Sequence, residues 1–156
     1  ASVQGGRDGV LVKVRSERGQ EWLGTFAFGH LTPNGVSGIF TTPDPDRLCV
    51  VAAGEGYFVS ANRPTSWEGI SVVPILDVRP VAARDIIVFA DFTNLAAYGK
   101  TDLKWRTKRL SWDDLKITEV TDSFIKGEFW DILSEQMASF VVDLATGAHT
   151  GGRTEI

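Results

Sequence analysis

Residues 48–61 read Leu-Cys-Val-Val-Ala-Ala-Gly-Glu-Gly-Tyr-Phe-Val-Ser-Ala. Two apolar runs, 48–53 and 57–61, flank the triplet Gly54-Glu55-Gly56. Short apolar runs bounded by glycines are typical of paired β-strands, because glycine readily takes the positive φ that a tight turn needs. This stretch predicts a β-hairpin, and it sets the fold class.

The β pattern continues in both directions from this hairpin. Upstream, the valines at 10, 12 and 14 recur at a period of two, and downstream 86–90 is a continuous apolar run. Turn signals, such as Asn34-Gly35, separate the runs. The sequence predicts an all-β, mainly antiparallel fold of about a dozen short strands, as a sandwich or partly closed roll. We expect one domain over 1–156, with a flexible segment at 1–9.

Residues 130–138 depart from this pattern, since they contain good helix formers. They predict at most one short helix. A helix here would place Glu128, Asp131 and Glu135 on one face, because their spacings are three and four residues. These carboxylates are then either a solvated face or a site for a hard cation or acid/base chemistry. The second reading is the basis of an alternative function, a carboxylate-based hydrolase.

Hairpins recur along the chain at a nearly constant distance. They begin near residues 11, 48, 86 and 124, about 38 residues apart. A period of this size is found in propeller blades, but regularly spaced turns in any all-β domain also produce it. A small β-propeller-like repeat is therefore the alternative fold.

Two resemblances bear on this alternative. Residues 95–107 (LAAYGKTDLKWRT) resemble the strand-turn-strand-Trp unit of quinoprotein-type propellers, and 140–147 (FVVDLATG) is similar to its first half. The first segment departs from that unit at Asp102-Leu103, and no Trp follows Gly147. The quinone site of that family needs a full propeller, so the resemblance implies no cofactor. Residues 86–120, with 140–152, resemble a bacterial all-β family of no assigned function, which implies no activity.

Composition excludes several classes of protein. The 156 residues are 43% hydrophobic with a net charge of −4, which is typical of a soluble globular protein. The negative net charge argues against a nucleic-acid binder, because such a protein must neutralise phosphates with a concentrated positive surface. No apolar run reaches the roughly 20 residues that span a membrane. Cys49, His30 and His149 are scattered singly, so we expect no metal site and no cofactor. Without a visible secretory signal, the default location is cytoplasmic, although a trimmed leader remains open.

The strongest local signal for binding is the stretch 100–116. It carries six basic residues against three acidic ones in an otherwise acidic chain. Because side chains alternate along a strand, Lys104, Arg106 and Lys108 are predicted on one face and Trp105 on the other. The face could recognise an anionic ligand or an acidic protein, or it could be the lysine-rich surface of an edge strand. The binding residues predicted here are Lys104, Arg106, Lys108, Arg109 and Trp112.

Tryptophan suggests a second kind of site. The chain has five tryptophans, and Trp67 follows Pro64 in a polar stretch predicted to be a loop. An exposed ring there would suit sugar stacking, so a carbohydrate-binding module is the second alternative. The main prediction is a non-catalytic binding or protein-interaction module with an unknown protein or anionic ligand as partner. A homo-oligomer stays open.

Overall fold

The computed structural model describes residues 8–30, 32 and 34–153. These residues form two compact units. Unit 1 holds the described residues up to 41 together with 45–75, and unit 2 holds 42–44 and the described residues from 76 onward. The predicted all-β class is confirmed, since the described ranges contain antiparallel strands and no α-helix. Of the segment 1–9, residues 1–7 lie outside the described residues, and Gly9 begins the first strand. The single domain stays a prediction.

Unit 1 contains a two-stranded and a four-stranded antiparallel sheet. The hairpin that the valine alternation predicted forms sheet A, and the hairpin of residues 48–61 forms the centre of sheet B. The strands of sheet A are β1 (Gly9–Arg15) and β2 (Glu21–Ala27). Those of sheet B are β3 (Gly38–Thr41), β4 (Arg47–Ala52), β5 (Glu55–Ser60) and β6 (Trp67–Gly69).

The core of unit 1 lies where sheets A and B face each other. Val12 and Phe26 from sheet A pack with Val50, Ala52 and Val59 from sheet B. In β1 the buried Val12 stands between exposed residues, as expected for a sheet with one buried face, whereas residues 49–52 of β4 are all buried, so the centre of sheet B is covered on both faces. Burying this apolar face is the main driving force for stacking the two sheets.

Unit 2 contains two four-stranded antiparallel sheets and one short 3-10 turn at Ala82–Arg84. Sheet C consists of β7 (Asp77–Val81), β8 (Ile86–Ala90), β9 (Leu95–Tyr98) and β10 (Leu103–Arg106). Sheet D consists of β11 (Lys116–Val120), β12 (Phe124–Asp131), β13 (Gln136–Asp143) and β14 (His149–Gly151). In both sheets each strand pairs with its neighbours in the chain.

A larger core holds sheets C and D together. Val88 and Trp105 from sheet C pack with Phe129 and Phe140 from sheet D, and all four are buried. Gly127 is placed opposite Phe140 in the strand register. A Cβ added to Gly127 would overlap the ring of Phe140, so the absence of a side chain lets the ring lie flat on the sheet.

The same tryptophan anchor occurs in both units. The indole Nε1–H of Trp22 in β2 donates to the carbonyl oxygen of Ala61 at 2.8 Å. The indole of Trp105 in β10 donates to the carbonyl oxygen of Leu144 at 2.9 Å. In both cases donor and acceptor are 39 residues apart, and the acceptor directly follows the third strand of the facing sheet. This separation of donor and acceptor is close to the distance of about 38 residues between successive hairpins.

The hairpin period corresponds to a structural repeat. Strands β4, β8 and β12 begin at residues 47, 86 and 124, and each is the second strand of a four-stranded meander. This strand order favours the propeller-like alternative over the sandwich or roll. The similarity is of topology, since the facing residues in the three meanders differ in type.

The predicted short helix at 130–138 is absent, and the segment is a β-hairpin. Trp130 pairs with Met137 in the register of β12 and β13, and a turn of four residues connects the strands. Glu135 closes that turn at φ 51°. The local helix propensity is weak for so short a segment. Pairing with β11 and β14, and burial of Phe129 against sheet C, therefore determine the backbone conformation.

Candidate binding surfaces

The predicted cationic residues lie at one edge of sheet C. Lys104 and Arg106 are exposed on β10, whereas Trp105 between them is 8% exposed. β10 is an edge strand, as the alternative reading of this stretch required. Both cations have acidic neighbours: Lys104 Nζ lies 3.1 Å from Asp102 Oδ1 and Arg106 Nη1 lies 4.0 Å from Asp91 Oδ2. Their charge is thus partly balanced within the chain.

Lys108, Arg109 and Trp112 lie in the connection between β10 and β11, beyond the end of the strand at Arg106. The guanidinium carbon of Arg109 is 4.6 Å from the centroid of the Trp112 ring, which is a cation–π contact. Lys108 is exposed and forms no ion pair with any described residue. The structure therefore brings the predicted residues to one region of the surface, although strand alternation holds only for 104–106.

A cavity of about 630 Å³ adjoins this region of unit 2. Its basic side chains are Arg84, Lys100 and Lys104, and Asp85 also lines it. The Nε–H of Arg84 donates to the carbonyl oxygen of Asp122, and this contact holds the guanidinium in place. The Asp85 carboxylate offsets part of the positive charge of these three basic side chains.

Unit 1 carries an aromatic groove, whose described lining residues are uncharged, in contrast to the cationic region of unit 2. Its volume is about 490 Å³. Tyr57 contacts Phe26 at 5.4 Å and Trp67 at 5.9 Å between ring centroids, the latter edge to face. Trp67 is 61% exposed although it lies in a strand. The groove is lined by Trp22, Leu23, Gly24, Thr25, Phe26, Ala27, Tyr57, Val59, Pro64, Thr65 and Trp67.

Among the residues that the structure describes, no acidic or basic side chain lines this aromatic groove. Its polar groups are the hydroxyls of Thr25, Thr65 and Tyr57 and the backbone of β2, and the Tyr57 hydroxyl donates to the carbonyl of Ala27 at 3.0 Å. An uncharged ligand loses little hydration free energy on entering such a groove, whereas a charged group would be desolvated without a partner of opposite charge. The aromatic groove is therefore suited to an uncharged chain.

Sequence reasoning found one residue of this groove and missed the others. Trp67 was predicted in a loop, but it begins β6 and pairs with Val59, so both side chains lie on the face that packs against sheet A. Trp22, Phe26 and Tyr57 were not singled out. The alternation of aromatic residues at 22 and 26 was the available signal, and it indicates only a buried face.

The three carboxylates of the hydrolase alternative do not meet. Glu128 and Asp131 lie on opposite faces of β12, because their odd separation in a strand reverses the side-chain direction. Asp131 is 5% exposed, and its Oδ2 accepts a hydrogen bond from Ser134 Oγ at 2.6 Å and contacts Arg153 Nη1 at 2.9 Å. Glu135 is exposed in the turn. The prediction that Glu128, Asp131 and Glu135 share one face, on which the acid/base alternative depended, is therefore wrong.

Asp131 instead ties the β12–β13 turn to the segment after β14. The hydrogen bond from Ser134 is the largest cause of a lowered pKa of Asp131, and the charge of Arg153 acts in the same direction, against the effect of burial. A carboxyl with a lowered folded pKa stabilises the protein above its unfolded pKa, about 3.9, and loses this contribution as pH falls through the folded value.

Asp131→Asn is expected to lower Tm at pH 7, and this loss should shrink as the pH falls below the unfolded pKa of about 3.9 and the wild-type carboxyl takes up its proton. Thermal melts followed by circular dichroism between pH 2 and 7 test this. Glu135→Gln is the matched control, because it changes an exposed carboxylate of the same turn, and it should leave the melts unchanged. Equal Tm losses for Asp131→Asn at pH 2 and pH 7 would contradict the electrostatic role.

The other residues considered for chemistry are far from reactive settings. Cys49 is fully buried, and burial raises the pKa of its thiol to about 12. His30 is exposed, and the ring of His149 contacts the carbonyl oxygen of Gly151 at 3.0 Å through Nδ1. Within the described residues, no three His, Cys, Asp or Glu side chains are grouped so that they could hold a metal ion.

Nor does any helix in the described part of the chain have the length and apolar character needed to cross a membrane.

Comparison with known proteins adds information on the fold alone. No protein-family model matches the chain, and no curated protein matches it. Among solved structures, the chain is similar to the β-propeller domain of Cps50 (Swd1) from Myceliophteria thermophila, with a TM-score of 0.52 and 13% sequence identity. The similarity covers 96% of this chain and 54% of that one, so the chain spans about half the length of that domain. This similarity agrees with the meander topology of sheets B, C and D.

Proposed function

We propose that the chain is a non-catalytic binding module that holds a segment of a partner protein in the aromatic groove of unit 1. The observation that carries this proposal is the exposure of Trp67, which is 61% exposed in a groove with no acidic or basic lining. Tryptophan and tyrosine are enriched among the residues that dominate protein interfaces, where their rings lose the most water on binding.

A non-catalytic role is supported by the positions of the carboxylates and the thiol and by the lining of the aromatic groove. The carboxylates of 128–135 are separated by the hairpin, and the Cys49 thiol is buried and protonated at neutral pH. The groove itself contains rings, hydroxyls and backbone amides, which recognise a ligand but do not supply a general base near neutral pH.

The cationic region of unit 2 is the competing location. Lys104, Arg106, Lys108 and Arg109 would take an acidic ligand, and this prediction from the sequence stays a prediction. The cationic region is the weaker candidate site, because Lys104 and Arg106 have acidic neighbours at 3.1 and 4.0 Å. Charge pairs at an exposed surface contribute little individually.

One panning experiment compares the two locations. A phage-displayed library of random nine-residue peptides is selected on the wild-type protein, and synthetic copies of the enriched peptides are titrated into three proteins. These are the wild type, Trp67→Ala, and the double variant Arg106→Glu/Lys108→Glu. We expect Trp67→Ala to weaken binding about 30-fold, as loss of an interface hot spot does, and the double variant to bind like the wild type.

Two outcomes would contradict the proposal. Enriched acidic peptides that bind Trp67→Ala normally but fail on the double variant would move the site to the cationic region. Absence of enriched peptides, together with a shift of tryptophan fluorescence on titration with xylo-, cello- or chito-oligosaccharides, would make the chain a carbohydrate-binding module. Circular dichroism of each variant shows whether it is folded.

A further inference from the structure

The hydrogen bonds between β1 and β2 leave one edge of β2 unpaired. Ser16 N donates to Gln20 O at 2.8 Å and Phe28 N donates to Asp8 O at 3.1 Å, at the two ends of the hairpin. These bonds and the register place the even-numbered residues of β2 in hydrogen-bonded pairs with β1. In an antiparallel pair, the N–H and C=O groups of the intervening residues point to the opposite edge.

Two residues at the middle of this edge have no backbone partner. The Ala27 carbonyl is occupied by the Tyr57 hydroxyl. Within the described part of the chain, the N–H and C=O groups of Leu23 and Thr25 form no hydrogen bond, and β2 pairs only with β1. They therefore present a donor and an acceptor at each of two positions separated by one residue.

The unpaired edge and the exposed tryptophan belong to the same groove. Every residue from 22 to 27 lines it, which places the edge of β2 along its length. Trp67 lines the opposite side from the outer strand of sheet B, on the face that packs against sheet A. A strand added beside β2 would extend sheet A over Trp67. One occupant would then satisfy both the unpaired amides and the exposed ring.

We propose that the partner segment binds as an extended strand, antiparallel or parallel to β2, and becomes the third strand of sheet A. This inference rests on the proposed function and specifies its ligand class: an uncharged extended peptide. The charge match supports this occupant, because the lining has neither acidic nor basic side chains. Main-chain hydrogen bonds supply affinity in such strand addition, and alternate side chains supply specificity.

The spacing of the unpaired groups favours a peptide over a saccharide. Leu23 and Thr25 are two residues apart in a strand, about 6.6 Å, which is the repeat of an extended peptide. Every second side chain of the added strand would face Trp67 and Tyr57, and the side chains between would face away. The Tyr57–Ala27 hydrogen bond ends the open edge on one side, so the bound core is short, about four or five residues.

An N-methyl scan of the enriched nine-residue peptides tests the mode of binding. Each backbone nitrogen is methylated in turn, and the affinity is measured by fluorescence anisotropy. We expect losses of at least about tenfold at every second position of the core, where the N–H would donate to the Leu23 or Thr25 carbonyl, and small changes between. A uniform or random pattern would overturn strand addition while leaving the groove as the site.

Hydrogen exchange gives a second readout that needs no variant of the protein. Saturating peptide should slow exchange of the Leu23 and Thr25 amides by at least about tenfold, since their N–H groups acquire acceptors. The Gly24 amide points to β1 and is the internal control. Equal exchange of Leu23 and Thr25 with and without peptide would overturn the proposal. Protection without peptide, in a concentration-dependent dimer, would assign the edge to a second copy of the chain instead.

Failure of this inference is distinguishable from failure of the proposed function. Peptides that lose affinity for Trp67→Ala but show no alternation in the N-methyl scan contradict strand addition only. Peptides that bind Trp67→Ala as well as the wild type contradict both.

Discussion

Trp105→Ala is expected to lower the free energy of unfolding by about 3–5 kcal/mol, the range for truncating a buried aromatic residue. Trp105 is 8% exposed in the core of unit 2. Gly147 lies against its ring so closely that a Cβ at position 147 would be 2.8 Å from ring atoms. Removing the indole empties this space and leaves the Leu144 carbonyl without its donor. Guanidinium denaturation at 25 °C measures the change.

Two further variants show where the loss comes from. Trp105→Phe keeps most of the ring but removes the Nε1–H, so it should cost about 1–3 kcal/mol for the unsatisfied carbonyl. Trp130→Ala is the matched control, since Trp130 is 45% exposed on β12, and it should change stability by no more than about 0.5 kcal/mol. Equal losses for Trp105→Ala and Trp130→Ala would contradict the anchoring role.

Phe140→Ala is the second large effect, again about 3–5 kcal/mol, because the ring is 1% exposed between sheets C and D. Gly127→Ala alone should cost about 1–3 kcal/mol, since its new Cβ would overlap the ring and lie 2.5 Å from the Lys116 carbonyl oxygen. The double variant should lose less than the sum of the two, because truncating the ring removes the overlap.

Chemical denaturation of the two single variants and the double variant completes this cycle. Ser139→Ala is the control on β13, since Ser139 is exposed next to Phe140 and its loss should be near zero. Strict additivity would show that Phe140 does not lie over Gly127. A change in the denaturant slope would instead show that the variant has altered the compactness of the native or denatured state, or that unfolding is no longer two-state.

Much of the fold could be predicted because the turns carry local signals. Gly54, with φ 83°, closes the hairpin that the sequence indicated, and the period of about 38 residues corresponds to the second strands of three meanders. The helix at 130–138 was wrong because helix propensity is weak in nine residues. The pairing of Trp130 with Met137 depends on sheet D as a whole.

The candidate site was less accessible to sequence reasoning because it depends on contacts between sheets. Trp22 and Trp67 are 45 positions apart in the sequence, and they line one groove because sheets A and B face each other. Likewise, the partial neutralisation of Arg106 requires Asp91, which precedes β9. Local spacing predicted the cationic face of β10 and included Asp102, but it gave no information on Asp91, which lies outside the stretch 100–116.

The aromatic groove as the binding site is the central claim, and a two-dimensional ¹H–¹⁵N spectrum tests it most directly. The five tryptophans give five indole signals, and Trp67→Phe assigns that of Trp67. On titration with an enriched nine-residue peptide, we predict that the Trp67 indole and the Leu23 and Thr25 amides shift while the Trp112 indole stays fixed. Shifts of the Trp112 indole and the Lys104 and Arg106 amides, with Trp67 unchanged, would contradict the claim.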